Sequence, residues 1–508
     1  MQPSNLKLYL LSIITGVTTG ALATFFRWLI VKSYYFRQYI FSEDINFFLI
    51  IPIVFSIWGI LMGINYLKNR VPYVSGSGIP QSMAAVIGRY KFSRPFRLLW
   101  AKFVAGLATM GLGMTLGKEG PSMQLGAVCG TIVGNNFNAT PVEKRYLIAS
   151  GAGAGLAAAF TTPLAPVFFI IENMQGWGSL KIMLPTLLAS LCGGYYAGMI
   201  FDNKEIHSAV LSFPDYDASV MLVILLFFSL FGYIIARAFS FSIVRMKNYI
   251  LEIKYPRWIK ILFVSAITFI MGTAFLDVTA GGEKELIYQL HNNSSSLGYL
   301  FLLILVIIFT SSLAYGINLS GGLILPVLVL GAISGKAYAL ILLKMGIITV
   351  AEIPYFMFIG MSLMFIATNG APITGLIITI EITGKYQLLV PLIIVATIII
   401  LLNQLFNVTP LIKKIYAMMI KSKFEKGLTY DASFEINSNS YFEGKKYSSI
   451  KLPPDIEIIK AYRIDRKTKK RYEIGPRTNL VSGDIIEVAM DAESYERLYL
   501  IMSAYCNE

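Results

Sequence analysis

The chain has 508 residues, 56% of them hydrophobic and only 14% charged, against about 25% charged in soluble proteins. With a mean hydropathy of +0.64, this balance excludes a soluble globular protein and predicts a polytopic α-helical membrane protein. The net charge of +14 is read as basic loops beside anionic lipid, so no nucleic-acid partner is expected.

Three cysteines, Cys129, Cys192 and Cys506, lie far apart and form no metal or disulfide pattern. The two histidines, His207 and His291, fall in polar stretches. With no intramembrane histidine and no paired aspartates, the sequence offers neither metal ligands nor a nucleophile with its base. An enzyme is therefore not expected, nor is a metal or cofactor.

The first apolar run, Leu8 to Phe25, is followed by Arg27 and Lys32 without a small-residue cleavage site, so it is expected to stay in the protein. Further apolar runs span about 47–66, 98–116, 123–134, 147–171, 182–200, 218–239, 259–276, 298–315, 322–344, 354–368, 371–383 and 388–407. Several fall below the ~17 residues a helix needs to cross ~30 Å of hydrocarbon.

Between two of these runs lies Gly117-Lys118-Glu119-Gly120-Pro121. A carboxylate at membrane depth is a functional hypothesis by default. Pro121 suits a first helical turn, where free N–H groups and partial positive charge attract an anion. A glutamate tethered there competes with that anion, which is a gate in chemical terms. The plain alternative is a loop glutamate in interfacial water.

Short, broken segments in matching positions of two halves point to a transporter's binding site, and the halves are visible. Gly151 to Glu172 (GAGAGLAAAFTTPLAPVFFIIE) aligns with Gly360 to Glu381 (GMSLMFIATNGAPITGLIITIE) at an offset of 209. Gly117 and Pro121 meet Gly322 and Pro326 at an offset of 205. The alignment alone leaves parallel and inverted repeats open. Basic clusters stand at Lys68 to Arg70, Arg89 to Lys102 and Lys413 to Lys426, and the last places the C-terminus in the cytoplasm.

The composition changes after Lys421. Of the 68 residues from Tyr441 to Glu508, 23 are charged. Short alternating strands are expected at Ile456–Tyr462 and Asp484–Val488, with Ser482-Gly483 as a turn and Ala492 to Met502 as a short helix. This reads as a small soluble α+β module, and its size predicts that it dimerises or packs on the membrane domain. Ser422 to Asn439 reads as a polar, irregular link.

Gly76-Ser77-Gly78-Ile79-Pro80, Gly117-Lys118-Glu119-Gly120-Pro121 and Gly322 to Pro326 appear in the order of three signatures of the CLC chloride channels and chloride/proton exchangers. Together with Tyr386-Gln387-Leu388 before Pro391, they make residues 10 to 415 closely resemble that family. The resemblance implies an all-α polytopic membrane fold with two inverted repeats of broken helices, about 10–200 and 215–415. The domain order is then a membrane domain over 1–421, a linker over 422–439 and a cytoplasmic domain over 440–508. It further implies a homodimer in the lipid bilayer of the bacterial plasma membrane, with both termini cytoplasmic and chloride as the substrate.

By the same likeness, the Ser77 hydroxyl and the N–H groups of Gly78 and Ile79 hold a central anion. The amides of Gly322, Leu323 and Ile324 serve it from the second repeat. Glu119 matches the gating glutamate. Three positions depart from the family pattern. Asn173 stands where exchangers carry an internal proton-transfer glutamate, and asparagine does not titrate. The preceding Glu172 could be mistaken for that residue and is read as structural or interfacial. Ile412 stands where the family has a central tyrosine; Tyr416 is one turn further on. Ile324 replaces a phenylalanine. These departures lean towards a channel or a loosely coupled pathway gated by Glu119. The alternative is a chloride/proton antiporter with a non-glutamate internal route.

The tail resembles the C-terminal subdomain of the RCK/TrkA regulators of potassium transport, on Gly444-Lys445-Lys446, Ile458 to Arg463, Pro476 and Ser482 to Ile486. That likeness implies a dimer groove for a nucleotide such as cyclic di-AMP, lined by Ile458, Ile459, Arg463 and Pro476, with arginine on phosphate and isoleucine on the base. The alternative is that the isoleucines are core residues and Arg463 is solvated.

Overall fold

The apolar runs become helices, and those broken by glycine or proline stop inside the bundle. The computed structural model describes residues 3–42, 47–71, 73–175, 180–201, 206, 208, 211–214, 216–292, 294–423, 429–438, 440–450, 452, 456–464, 471–491, 502, 505 and 506. The first half holds α1 (Pro3–Ser42), α2 (Phe47–Arg70), α3 (Ile79–Val86), α4 (Pro95–Gly111), α5 (Glu119–Asn136), α6 (Pro141–Phe160), α7 (Ala165–Ile170, continued by a π turn Ile171–Gln175) and α8 (Leu180–Gly198). The second holds α9 (Ala218–Glu252), α10 (Arg257–Ala274), α11 (Glu283–His291), α12 (Leu297–Gly316), α13 (Ile324–Lys344), α14 (Ile353–Asn369), α15 (Pro372–Thr383) and α16 (Leu389–Leu405), after which comes α17 (Leu411–Lys423). Among the described residues, α1 to α8 thus find counterparts in order in α9 to α16.

The offsets seen in the sequence recur as contacts. A Cβ on Gly126 would lie 1.9 Å from the Gly151 carbonyl, so α5 and α6 touch backbone to backbone. At Gly331 the same atom would lie 2.2 Å from the Gly360 carbonyl, joining α13 to α14 in the same way. Gly331 is 205 residues after Gly126, and Gly360 is 209 after Gly151. Close approach of this kind is how helices pair where lipid supplies no hydrophobic drive between them. The halves also meet directly. Gly117 N–H donates to Gly322 O at 2.8 Å, and Gly322 N–H donates to Gly117 O at 2.7 Å.

A second exchange lies between α7 and α15. Glu172, on the π turn, accepts from Ile373 N at 3.0 Å and Thr374 N at 2.9 Å, in the first turn of α15. Its repeat partner Glu381, on α15, accepts from Leu164 N at 2.9 Å and Ala165 N at 2.8 Å, at the start of α7. Each half thus satisfies the orphan N–H groups of the other's short helix. The two repeats are inverted copies related by a two-fold axis.

Eight of the described helices are long and apolar enough to cross a bilayer; Ala165–Met174 and Pro372–Thr383 are too short. The unbroken α1 fixes direction. Its Leu8 and Leu11 pack with Ala139 and Leu147 at the start of α6, while Arg27 stands 19 residues on, roughly 28 Å along the helix.

The C-terminal module is a four-stranded antiparallel sheet of order β1-β4-β2-β3, with β1 (Thr429–Glu435), β2 (Ile456–Ile464), β3 (Arg471–Ile474) and β4 (Ile485–Asp491). β2 and β4 match the two expected strands. β1 lies inside the stretch read as a polar linker, because pairing with β4 rather than an apolar pattern makes it a strand. The folded module therefore begins before residue 440. The expected helix from Ala492 falls, apart from Met502, outside the described residues, as does His207. The module rests on the end of the bundle where α6 and α8 begin: the Arg145 guanidinium lies 5.9 Å from the Phe434 ring, and Lys181 Nζ donates to Asn437 Oδ1 at 3.1 Å.

Candidate functional site

The first turns of α3, α5, α13 and α17 converge on the middle of the bundle. Each starts at one of the broken points of the sequence. Their tight approach depends on glycine: a Cβ on Gly78 would come 2.5 Å from the Gly120 carbonyl, and Gly78 itself has φ of 98°. Free N–H groups and the positive ends of helices thus meet without a full cation, a combination that holds an anion and still releases it.

A central cavity of about 20 Å³, room for about one ion or water molecule, is lined by Ser77, Ile79, Leu323, Ile324, Asn369 and Ile412, among others. Five residues singled out in the sequence (Ser77, Ile79, Leu323, Ile324 and Ile412) are therefore together. Gly78 caps α3, and Gly322 stands in the inter-repeat pair. The Ser77 hydroxyl is buried without a hydrogen-bond partner. Tyr416 does not replace the absent tyrosine, since it is not among the residues lining this cavity; its hydroxyl accepts from Arg89 Nη1 at 3.3 Å.

Glu119 is fully buried. Its Oε2 faces the Leu325 N–H at 3.4 Å, at the start of α13, while Oε1 has no partner. A Cβ on Gly117 would sit 2.0 Å from that same Oε2, so the glycine makes the room the carboxylate occupies. The neighbouring Lys118 does not pair with it. Lys118 Nζ donates to Glu283 Oε2 on α11, and Arg27 Nη2 reaches Glu283 Oε1 at 3.4 Å. Arg27 also stacks 4.1 Å from the Phe201 ring centre. These residues line a wide cavity of about 370 Å³, on the far side of the bundle from the C-terminal module.

Asn173 is buried on the π turn, and its Nδ2 has no partner. Glu172 beside it is committed to α15, as described above. Between the centre and this turn the wall is mostly apolar: Leu156, Ala165, Phe169, Phe365 and Ile378 flank Ile324, with Thr162 and Thr374 as the polar members.

Three residues of the site were not found in the sequence as such. Lys102, counted there in a basic cluster, is fully buried on α4 and donates to Val74 O at 3.0 Å and Gly76 O at 2.8 Å; it holds the loop leading into Ser77. A cation inside an apolar run was the available signal. Glu283 had none, being 165 residues from Lys118. Asn369 falls in the gap between the apolar runs 354–368 and 371–383.

In the C-terminal module Arg463, one of the four groove candidates, already has an acidic partner. Arg463 is forked onto Asp484 (Nε to Oδ1 2.8 Å, Nη2 to Oδ2 2.8 Å) and also donates to Asn479 O at 2.8 Å. The hydrogen bond to Asp484 raises the Arg463 pKa above its already high ordinary value. Ile458 packs on the module's core, whereas Ile459 is exposed beside a register shift in β2. Pro476 is exposed.

The sequence matches the family model described as voltage gated chloride channel over residues 58–404. It is 32% identical over 425 residues to the H(+)/Cl(−) exchange transporter ClcA of Vibrio cholerae, covering 81% of this chain and 90% of that protein. To the transporter of the same name from Yersinia pestis it is 28% identical over 453 residues, covering 87% and 93%. Among solved structures, a slow cyanobacterial Cl−/H+ antiporter superposes with a TM-score of 0.74 at 25% identity, over 83% of this chain and 99% of that one. A CLC-type fluoride/proton antiporter shares the fold with a TM-score of 0.62 at 24% identity, over 78% and 94%.

Proposed function

Since the chain belongs to the voltage gated chloride channel family, whose members transport rather than catalyse, we propose that it exchanges chloride for protons, with Glu119 as the gate. The observation that carries this reading is the seat of the Glu119 carboxylate. It occupies a glycine-made recess against the α13 N-terminus, where an anion's charge would be stabilised equally well. As a carboxylate it holds the place of an anion. Once protonated, it loses its hold on the positive helix end, swings away and carries its proton with it. Chloride then passes between that recess and the cavity under Ser77.

The relatives named as exchangers move the reading from channel to antiporter. Asn173 does not titrate, so the inner proton route runs over water past Asn173 rather than through a carboxylate. The passive channel remains the second reading, and Asn173 is the specific observation in its favour.

The protein works in a bacterial cell membrane as a homodimer with both termini in the cytoplasm. The packing of Leu8 and Leu11 against the end of the bundle that carries the module supports one side for both termini. The module, with its likeness to RCK C-terminal subdomains, regulates transport by binding a ligand such as a cyclic dinucleotide.

Purified protein in liposomes, under a fixed chloride gradient and an imposed pH gradient, tests the reading. Exchange shifts the zero-flux voltage with the pH gradient. A voltage that stays at the chloride equilibrium value overturns exchange in favour of a channel. Glu119→Gln should abolish proton coupling and flatten the pH dependence of flux; unchanged pH dependence removes Glu119 from the gate.

A further inference from the structure

The central cavity has an isoleucine, Ile412, where an anion would gain from a side-chain donor, and it has a second polar group besides Ser77. Asn369, the last residue of α14, is 4% exposed and lines the same cavity. Its Nδ2 is buried and has no hydrogen-bond partner. Buried donors are seldom left unpaired, because the lost hydration is not recovered. Asn369 and Ser77, each with such a donor, line one ion-sized space.

The backbone explains how Asn369 comes to be there. α14 ends at Gly370, whose φ is 66°, a left-handed conformation that glycine adopts without strain. A Cβ at Gly370 would come 2.5 Å from Cγ of Pro410. The end of α14 is thereby seated directly on Pro410, and α17 begins at the next residue, bringing Leu411 and Ile412 to the cavity.

We propose that Asn369 is the side-chain donor of the central anion site, paired with Ser77 and standing in for the hydroxyl that position 412 lacks. This rests on the anion-transport reading above and adds a ligand to it. The amide presents N–H groups to the anion without a positive charge, so the ion is held and still leaves. It also makes position 369 a determinant of anion preference, since a donor discriminates among anions by size and geometry where an alkyl wall does not.

The test is chloride binding to the purified full-length protein by titration calorimetry, with chloride flux in liposomes alongside. Asn369→Leu should weaken chloride binding about tenfold, the loss of one hydrogen bond to a charged partner. Asn369→Leu combined with Ile412→Tyr should recover most of it, because a phenol then supplies the donor. Asn369→Asp is nearly the same size and tests the position even if leucine upsets folding; its carboxylate should abolish chloride binding at neutral pH. Wild-type affinity in Asn369→Leu, or in Asn369→Asp, overturns the assignment while leaving transport intact. A wild-type protein that neither binds nor passes chloride overturns the transport reading, and this one with it.

Discussion

Glu172 sits next to the position where a proton relay would be sought, yet both of its oxygens are engaged at the first turn of α15. Replacing it with alanine strips that turn of a charged cap. Two backbone N–H groups, of Ile373 and Thr374, and the Thr374 hydroxyl lose their acceptor. Hydrogen bonds to a charged group contribute about 1.5–3 kcal/mol each, and loss of a helix cap alone about 1 kcal/mol. The three contacts share one carboxylate and do not add, so the expected loss is about 3 kcal/mol. Glu172→Gln keeps one acceptor oxygen and should lose about half of that. The assay is the temperature at which the detergent-purified protein leaves its monodisperse elution peak. A drop of several degrees is expected for alanine and a smaller one for glutamine, with the stoichiometry of proton-coupled flux unchanged in the surviving protein. The opposite pattern, full thermal stability with proton coupling abolished, would refute the capping argument and make Glu172 a relay.

Glu283→Gln leaves Lys118 and Arg27 without their shared counter-charge, so more positive charge stands beside the ionised Glu119. Flux then needs a more acidic solution; a flux assay across pH reads this, and an unmoved midpoint argues against any influence of the Lys118–Glu283–Arg27 cluster on Glu119. In the module, Arg463→Ala leaves Asp484, 1% exposed, with Val481 N–H as a remaining donor. Because the Arg463 side chain is 27% exposed, the expected loss is about 2 kcal/mol, below the range for fully buried pairs. Faster protease cleavage of the module in the intact protein would report it, and unchanged cleavage would count against the latch.

Much of this architecture was legible because membrane helices that cross closely need glycine at the crossing. Gly151 and Gly360 kept their spacing, as did Gly117 and Gly322, so the duplication could be aligned from the sequence; Gly126 and Gly331 share the second offset and show its reason only in the fold. The gate motif was legible for a related reason, a carboxylate in an apolar run. What stayed hidden were partners. Glu172 and Glu381 aligned with one another in the sequence, but nothing there says that each caps the other half's helix. Lys102 looked like its basic neighbours until the fold buried it. β1 carries no strong alternation and becomes a strand only by pairing with β4. Asn369 fell between two apolar runs, and its place beside Ser77 follows from a contact between residues 370 and 410 that no local pattern encodes.

The mutual hydrogen bonds between Gly117 and Gly322 put the two-fold axis through the heart of the pathway. Around such an axis the scaffold has no preferred end: whatever backbone one half offers to one side, the other offers to the opposite side. At this point the two halves differ in a side chain: Glu119 opens α5, whereas Ile324, 205 residues later, opens α13. On the gating role proposed for Glu119, the direction in which the protein opens is set by a side chain rather than by the backbone. On that reading, moving the glutamate from 119 to 324 would turn the same pathway to face the other way.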